Sequence, residues 1–475
     1  MLASSPLRPR RPLVGLLWCG VLLATGCTLG PRYHKPAIAN PDHWATAADS
    51  AAPAWPTTEW WRGFGSADLD SFMTEAQRAN DDLRAAVARV QQADARQRIA
   101  GAPLFPALAV SAQATRARAP APLNGGYMTG DDFHPLLAAS YQLDFFGRNR
   151  ALYAAADATA HASRYDRATV ELTVMAGVAT TYFQALELRD RLAIADSNLA
   201  NASRVLHGLE LEQTAGIATA LDVAQQQTVV ATLNASIPPL REQLRQSLDT
   251  LAILTGATPE GIEVPGGGGL DSLHQPAVQP GLPSQLLARR PDVAAAEAQL
   301  IAANADIAAA RAAIFPTINL TADGGYESPA LATLLTPATR VWSLGAGLTQ
   351  PIFQGGALLG GYALAKAQYQ ELLANYHKAV ISAFANVEDA LVAVQQTTEQ
   401  VSRQLEATEH ARRAYHFAQA QMRAGTINVL TLLSTETALF TAEDALAQAK
   451  YAHLQALVLL YQALGGGWQQ QDERL

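Results

Sequence analysis

The side chains able to do chemistry are dispersed where a catalyst would gather them. The 475 residues contain no His-Glu-x-x-His, no Gly-x-Ser-x-Gly and no phosphate loop, so the spacings that place a zinc pair, a serine nucleophile or a nucleotide phosphate are missing. No two of the ten histidines stand three or four residues apart, as a helical metal pair requires. His410 and the Tyr415-His416 pair read as exposed helix faces. Asp131-Asp132, beside Gly130, suit hydration or ion contact in an outer loop better than acid–base work. Of two cysteines, Cys19 lies in the N-terminal apolar stretch, which leaves Cys27 as the single thiol to explain.

The surroundings of Cys27 assign it a reaction. Arg8, Arg10 and Arg11 precede an apolar core from Leu13 to Ala24, too short for a spanning helix and built like a secretory leader. The core runs into Ala24-Thr25-Gly26-Cys27, which resembles a bacterial lipoprotein cleavage site where the thiol receives a diacylglycerol. Ala24 stands where Leu is usual, and the alternative is an ordinary cleavage site with a chance cysteine. Loss of residues 1–26 removes Cys19 and three arginines, which excludes a disulfide framework and moves the net charge from −8 to −11 (−8 − 3). Such acidity argues against a nucleic-acid partner.

Charged residues are only 16% of the chain, yet no later apolar run reaches about 18 residues, so any membrane crossing must be made by strands. The chain is also duplicated. Gly216 and Gly256 are 40 residues apart, as are Gly425 and Gly465, and each pair brackets a Gln/Ala/Leu-rich helical pattern. Leu104-Phe105-Pro106 and Ile314-Phe315-Pro316 repeat at an offset of 210 (315 − 105), against 209 (425 − 216) for the glycines. A third pair, Asp144-Phe145-Phe146-Gly147 and Pro351-Ile352-Phe353-Gln354-Gly355-Gly356, closes each alternating region.

Each half reads as helix, two strands and two long helices. Helices are expected over 66–100, 148–213, 219–254, 291–313, 357–423 and 428–464. Pro238-Pro239 should kink or break the third of these. Strands are expected over about 107–118, 133–143, 317–327 and 340–350, where Leu108, Val110, Ala112 and Ala114 share one face, and Trp342, Leu344, Ala346 and Leu348 another. The resulting domain plan is a leader (1–26), an extended segment (27–65), a first repeat (66–256), a linker (257–290), a second repeat (291–465) and a tail (466–475). Four strands cannot close a barrel, since the smallest single-chain outer-membrane barrels have eight. Pooling favours three copies and twelve strands, although two would give eight.

These residues resemble the TolC-like outer-membrane efflux factors, in particular the lipoprotein branch that includes the NodT-type proteins. The resemblance rests on Gly30-Pro31-Arg32-Tyr33-His34-Lys35-Pro36, on Trp60-Trp61 with Phe64 and Leu69, and above all on Arg289-Arg290-Pro291-Asp292-Val293 with the run from Ala302 to Pro316. It implies an α+β membrane protein: a homotrimer whose twelve-stranded β-barrel continues as a periplasmic α-helical barrel, with an equatorial girdle around Gly266-Gly267-Gly268-Gly269 and the C-terminal tail. It further implies a passive duct for drugs or other small molecules, with no catalytic residue and no cofactor beyond lipid on Cys27, joined by a periplasmic adaptor to an inner-membrane pump. Asp222 matches a family gate aspartate. Ser434 stands where a second is common, which leaves Asp222 and Glu436 as acidic gate candidates, and Asp222 reads equally well as a solvated helix-start residue. The turns at Gly216 and Gly425 are the expected adaptor-docking sites. The competing functions are an envelope enzyme and a structural lipoprotein that spaces the membranes; the latter leaves the amphipathic strands unexplained.

Overall fold

The computed structural model describes residues 30–38, 41, 43–45, 55–120, 126–263, 268–276 and 283–470. Cys27 and Gly266-Gly267 lie outside them. The elements are α1 (Ala67–Ala79), α2 (Asp81–Gly101), β1 (Ala107–Pro120), β2 (Tyr127–Leu143), α3 (Arg148–Thr214), α4 (Ala220–Thr255), α5 (Pro291–Ala312), β3 (Thr317–Tyr326), β4 (Arg340–Thr349), α6 (Ala357–Arg423) and α7 (Val429–Ala463). Apart from the break that divides the opening helix of the first half into α1 and α2, both halves of the chain carry the same order of these elements. They do not form separate bodies, because residues of both halves enter each of two compact units.

The first unit takes Met1–Pro36, Gln91–Ala162 and Ala296–Tyr376. Its strands form one antiparallel sheet in the order β1-β2-β3-β4. β2 begins six residues before the expected 133, because pairing with β1 carries it through Gly130-Asp131-Asp132, where alternation is lost. Phe146 and Phe315 stack at 4.9 Å beside the ends of β2 and β3 nearest the helices. The extended residues 30–36 run along α5. Gly30 lies so close to Ala308 that an added Cβ would meet the alanine methyl at 2.3 Å. Asn304 Nδ2 donates to the Pro31 carbonyl (3.0 Å), and Lys35 Nζ pairs with Glu297 (2.6 Å).

The second unit takes Ala37–Val90, Ser163–Ala295 and His377–Leu475. Its core joins α1, α3, α4 and α7: Trp60 stacks on Tyr461 at 4.9 Å, Phe64 meets Phe183 at 4.9 Å, and Leu69, Met73 and Leu251 are fully buried. Trp60 and Trp61 are therefore packing residues. The helix expected over 66–100 is interrupted at Asn80, whose extended backbone (ψ 129°) ends α1. Its Oδ1 accepts from the Leu83 amide while its Nδ2 donates to the Leu254 carbonyl, so one side chain caps α2 and anchors the end of α4. Pro238-Pro239 do not break α4, which is helical throughout. The Asn234 and Ala235 carbonyls that lose proline-blocked bonds belong to exposed residues, where water can satisfy them.

Candidate functional site

The strand register sorts the sheet into two chemically distinct faces. Successive strand residues point to opposite sides, and directly paired residues share a side. Leu108 pairs with Ala139, Ala139 with Ala322, and Ala322 with Leu344. One face therefore carries Leu108, Val110, Leu137, Leu320, Leu344 and Leu348, and the other Ser111, Gln113, Gln142, Asn319, Thr321 and Ser343. Leu108, Val110, Leu137, Trp342, Leu344 and Leu348 are all more than half exposed within the chain. A large uncovered apolar face on paired strands is what a bilayer covers. Ten residues of strand at about 3.3 Å each, tilted about 40°, rise roughly 25 Å, the height of an outer-membrane apolar band.

The two helix turns of the second unit are built alike. Gly216 ends α3 with φ 76° and Gly425 ends α6 with φ 68°. In each turn the next residue's amide reaches back five positions, Ile217 to Glu212 (2.8 Å) and Thr426 to Gln421 (3.0 Å). That is the left-handed helix stop that glycine adopts without strain. The following helices start on side-chain caps at an offset of 209: Thr219 accepts from the Asp222 amide, and Asn428 from the Thr431 amide. Nothing lies within 4 Å of a Cβ added at either glycine. Both turns are open to solvent in the chain.

The gate candidates divide. The Asp222 carboxylate accepts from the Thr219 backbone amide (2.8 Å) and hydroxyl (2.6 Å), closing a capping box. Those bonds, the hydroxyl's first, hold it below the usual aspartate range. Ser434 is exposed, with its hydroxyl donating to the Thr431 carbonyl. Glu436 corrects the expectation of a pore-lining acid, because it is completely buried inside the protomer. Gln226 Nε2 donates to the Ala202 carbonyl (2.8 Å) and, at 3.5 Å, to Glu436 Oε2. Tyr415, expected on an exposed face, is buried against Leu432, Leu439 and Phe440. The missed signal was phase: Leu432, Leu433, Glu436, Leu439 and Phe440 follow the spacing of one buried stripe.

Burial pushes the Glu436 carboxyl up to about 7, partly opposed by the Gln226 hydrogen bond. Gln226 Oε1 and Glu436 Oε1 have no hydrogen-bond partner among the described residues, and a proton on Glu436 supplies a donor. Since the folded value lies above the ordinary 4.5, the folded state holds the proton more tightly. Its stabilising effect is present below that ordinary value and is lost as pH rises through about 7. Glu436→Gln should therefore melt higher than the parent at pH 8, by on the order of 1–3 kcal/mol per chain, with the gap closing towards pH 4.5. Thermal dissociation measured from pH 4.5 to 8 tests this, and parallel curves for the two proteins would refute it.

The ends of α4 and α7 repeat a further device. The Asn80 bond to Leu254 has its counterpart in buried Arg290, whose guanidinium donates to the Ala463 carbonyl (2.9 Å) and pairs with Asp292. Gly256 and Gly465 stop these helices, and a Cβ at either would meet a backbone oxygen, that of Ala79 at 2.3 Å or of Arg289 at 1.9 Å. The Arg289-Arg290-Pro291-Asp292 motif is thus an interhelix clasp. Asp131, in turn, pairs with Arg116 across β1 and β2 at 3.6 Å.

Comparison with known proteins agrees with this arrangement. The model of the outer membrane efflux protein family matches twice, over residues 73–257 and 282–466, an offset of 209 (282 − 73). The pyoverdine export outer membrane protein OpmQ of Pseudomonas aeruginosa is 41% identical, over 96% of this chain and 97% of its own. The cation efflux system protein CusC of Escherichia coli O6:H1 is 31% identical over 96% and 99%. Among solved structures, the outer-membrane channel OprN superposes with a TM-score of 0.86 at 29% identity, covering 94% of this chain and all of that one.

Proposed function

Because the chain belongs to the outer membrane efflux protein family and is the outer-membrane channel subunit of a tripartite efflux system, we propose that its trimer conducts a pyoverdine-like organic metabolite outward and performs no chemistry on it. The observation that carries this reading is the four-stranded sheet with one apolar and one polar face, an open sheet with β1 and β4 at its edges. Open edges in lipid leave backbone groups unpaired at several kcal/mol each, so three copies close a twelve-stranded barrel with the polar face inward. Ser111, Gln113, Asn319, Thr321 and Ser343 give that wall hydrogen-bonding groups suited to a polar organic solute, with Asp132 and Asp323 as acids on the same face. The 41% identity to a pyoverdine exporter, against 31% to a cation exporter, favours the same cargo class.

Cys27 carries the lipid that moors the chain to the outer membrane. Asp222 and Ser434 belong to the periplasmic gate, Asp222 as an acid also committed to its cap. The periplasmic adaptor docks at the turns of Gly216 and Gly425, beside a groove of about 600 Å³ lined by Arg204, Glu212, Tyr415 and Arg423. The inner-membrane pump supplies the energy.

A strain lacking the chain should retain the pyoverdine-like metabolite that a complemented strain releases. Complementation by Gly425→Val, whose side chain meets open space but whose backbone must stay left-handed, should lower release by about five-fold or more at normal trimer levels. Normal release by that variant would remove the docking assignment. Normal release of that metabolite by the deletion strain, with lost tolerance to a drug or metal, would remove the cargo assignment.

A further inference from the structure

The strand register brings three arginines to one end of the apolar face. Arg116 and Arg118 continue the β1 row of Leu108, Val110, Ala112 and Ala114, and Arg340 continues the β4 row of Leu348, Ala346, Leu344 and Trp342. Their partners on that face are Asp131, Thr129 and Tyr326. All three arginines are exposed, and the Arg116 side chain keeps 77% of its accessibility despite the ion pair with Asp131. The Arg118 guanidinium lies 4.8 Å from the centre of the Tyr127 ring, and Trp342 projects beside Arg340 from the same row with 76% exposure.

This end is the one remote from the helices. Leu143 and Thr349 lead into α3 and α6, whereas the arginine end holds the two strand connections, of which 121–126 has no charge and 327–339 has only Glu327. On the same face the helix-proximal ends, at Leu108, Tyr141, Leu143, Ile318 and Leu348, carry none. The membrane-facing surface is therefore neutral at its periplasmic margin and cationic at its outer margin, with three guanidiniums against one carboxylate per chain and nine against three in the trimer.

We propose that Arg116, Arg118 and Arg340 form a phosphate-binding rim that holds the phosphorylated glycolipid of the outer leaflet against the barrel. Guanidinium forks bind phosphate oxygens in pairs, and their long stems let the charge reach the headgroup level from an apolar surface. Tyr127, Tyr326 and Trp342 supply rings at the depth where an aromatic belt meets sugar and acyl chain. The opposite parity of the lumen-facing row keeps these arginines out of the pore, so the site goes beyond the transport function and uses only the assignment of the apolar face to lipid.

The test compares the wild-type trimer, extracted from outer membrane in mild detergent, with R116Q/R118Q/R340Q and R116K/R118K/R340K. Mass spectrometry of retained lipid should find bisphosphorylated glycolipid on the wild type, reduced at least about tenfold in the glutamine variant and less in the lysine variant. Added bisphosphorylated glycolipid should raise the dissociation temperature of the wild type, and the same lipid treated with phosphatase should not. Equal retention by wild type and glutamine variant at equal heat-modifiable trimer yield would overturn the proposal. So would equal stabilisation by the dephosphorylated lipid or by phosphatidylglycerol. If the glutamine variant fails to assemble, the lipid comparisons on wild type and lysine variant still decide.

Discussion

Gly465→Ala is expected to prevent accumulation of the trimer. The Gly465 backbone sits at φ 86°, and an added Cβ would lie 1.9 Å from the Arg289 carbonyl oxygen. Left-handed strain costs about 1–2 kcal/mol for a residue with a Cβ, and a forced backbone shift in a packed site adds about 1–3 kcal/mol. The displaced segment also holds the Arg290 bond to Ala463, so the clasp between α5 and α7 is lost with it. Multiplied over three chains, the cost is comparable to the stability of a whole domain. Gel migration of unboiled outer membranes should show the trimer band lost for Gly465→Ala and kept for Gly425→Ala, whose Cβ meets nothing within 4 Å. A wild-type band and melting temperature for Gly465→Ala would refute the clasp.

A comparable loss should follow Leu344→Arg, with its neighbour as control. Leu344 lies mid-strand on the apolar face, paired with Ala322. An arginine at the bilayer midplane of a barrel costs about 2–4 kcal/mol, hence roughly 6–12 kcal/mol per trimer. Ser343 points the other way, with its hydroxyl donating to Asp323 Oδ2 at 3.0 Å. Ser343→Arg should assemble normally and shift the ion selectivity of the reconstituted pore towards anions, because three positive charges then stand beside Asp323. Trimer yield in the outer membrane and single-channel reversal potentials read the two effects. If Ser343→Arg alone fails, the faces have been assigned the wrong way round; if both variants assemble equally, Leu344 does not face lipid.

Most of the architecture was legible because it is periodic. Alternation over Thr317–Asp323 and Val341–Leu348 marks strands, and the matched glycine and Phe-Pro offsets mark the duplication. What escaped was local and relational. Asn80 reads as one more polar residue in a helical run until its amide is placed against the Leu254 carbonyl 174 positions away. Glu436 was drawn towards the pore by its charge, although its spacing from Leu432 and Phe440 already put it on the buried stripe. Two prolines failed to break α4 because the carbonyls they strand face solvent. The arginine rim needed the register as well, since only pairing shows that Arg116, Arg118 and Arg340 share a side.

The strap of residues 30–36 along α5 also measures the molecule against the bilayer. Only Thr28 and Leu29 separate Cys27 from Gly30, and three steps of backbone reach at most about 11 Å. Gly30 is seated on Ala308, four helical residues or about 6 Å before α5 ends at Ala312, with Phe315 three turn residues further on. If Cys27 carries the proposed diacylglycerol, its leash would be about as long as the distance to the Phe146–Phe315 stack beside the ends of β2 and β3. Such an anchor and the barrel would find the same depth by separate means, and lengthening the leash by a few residues would uncouple them.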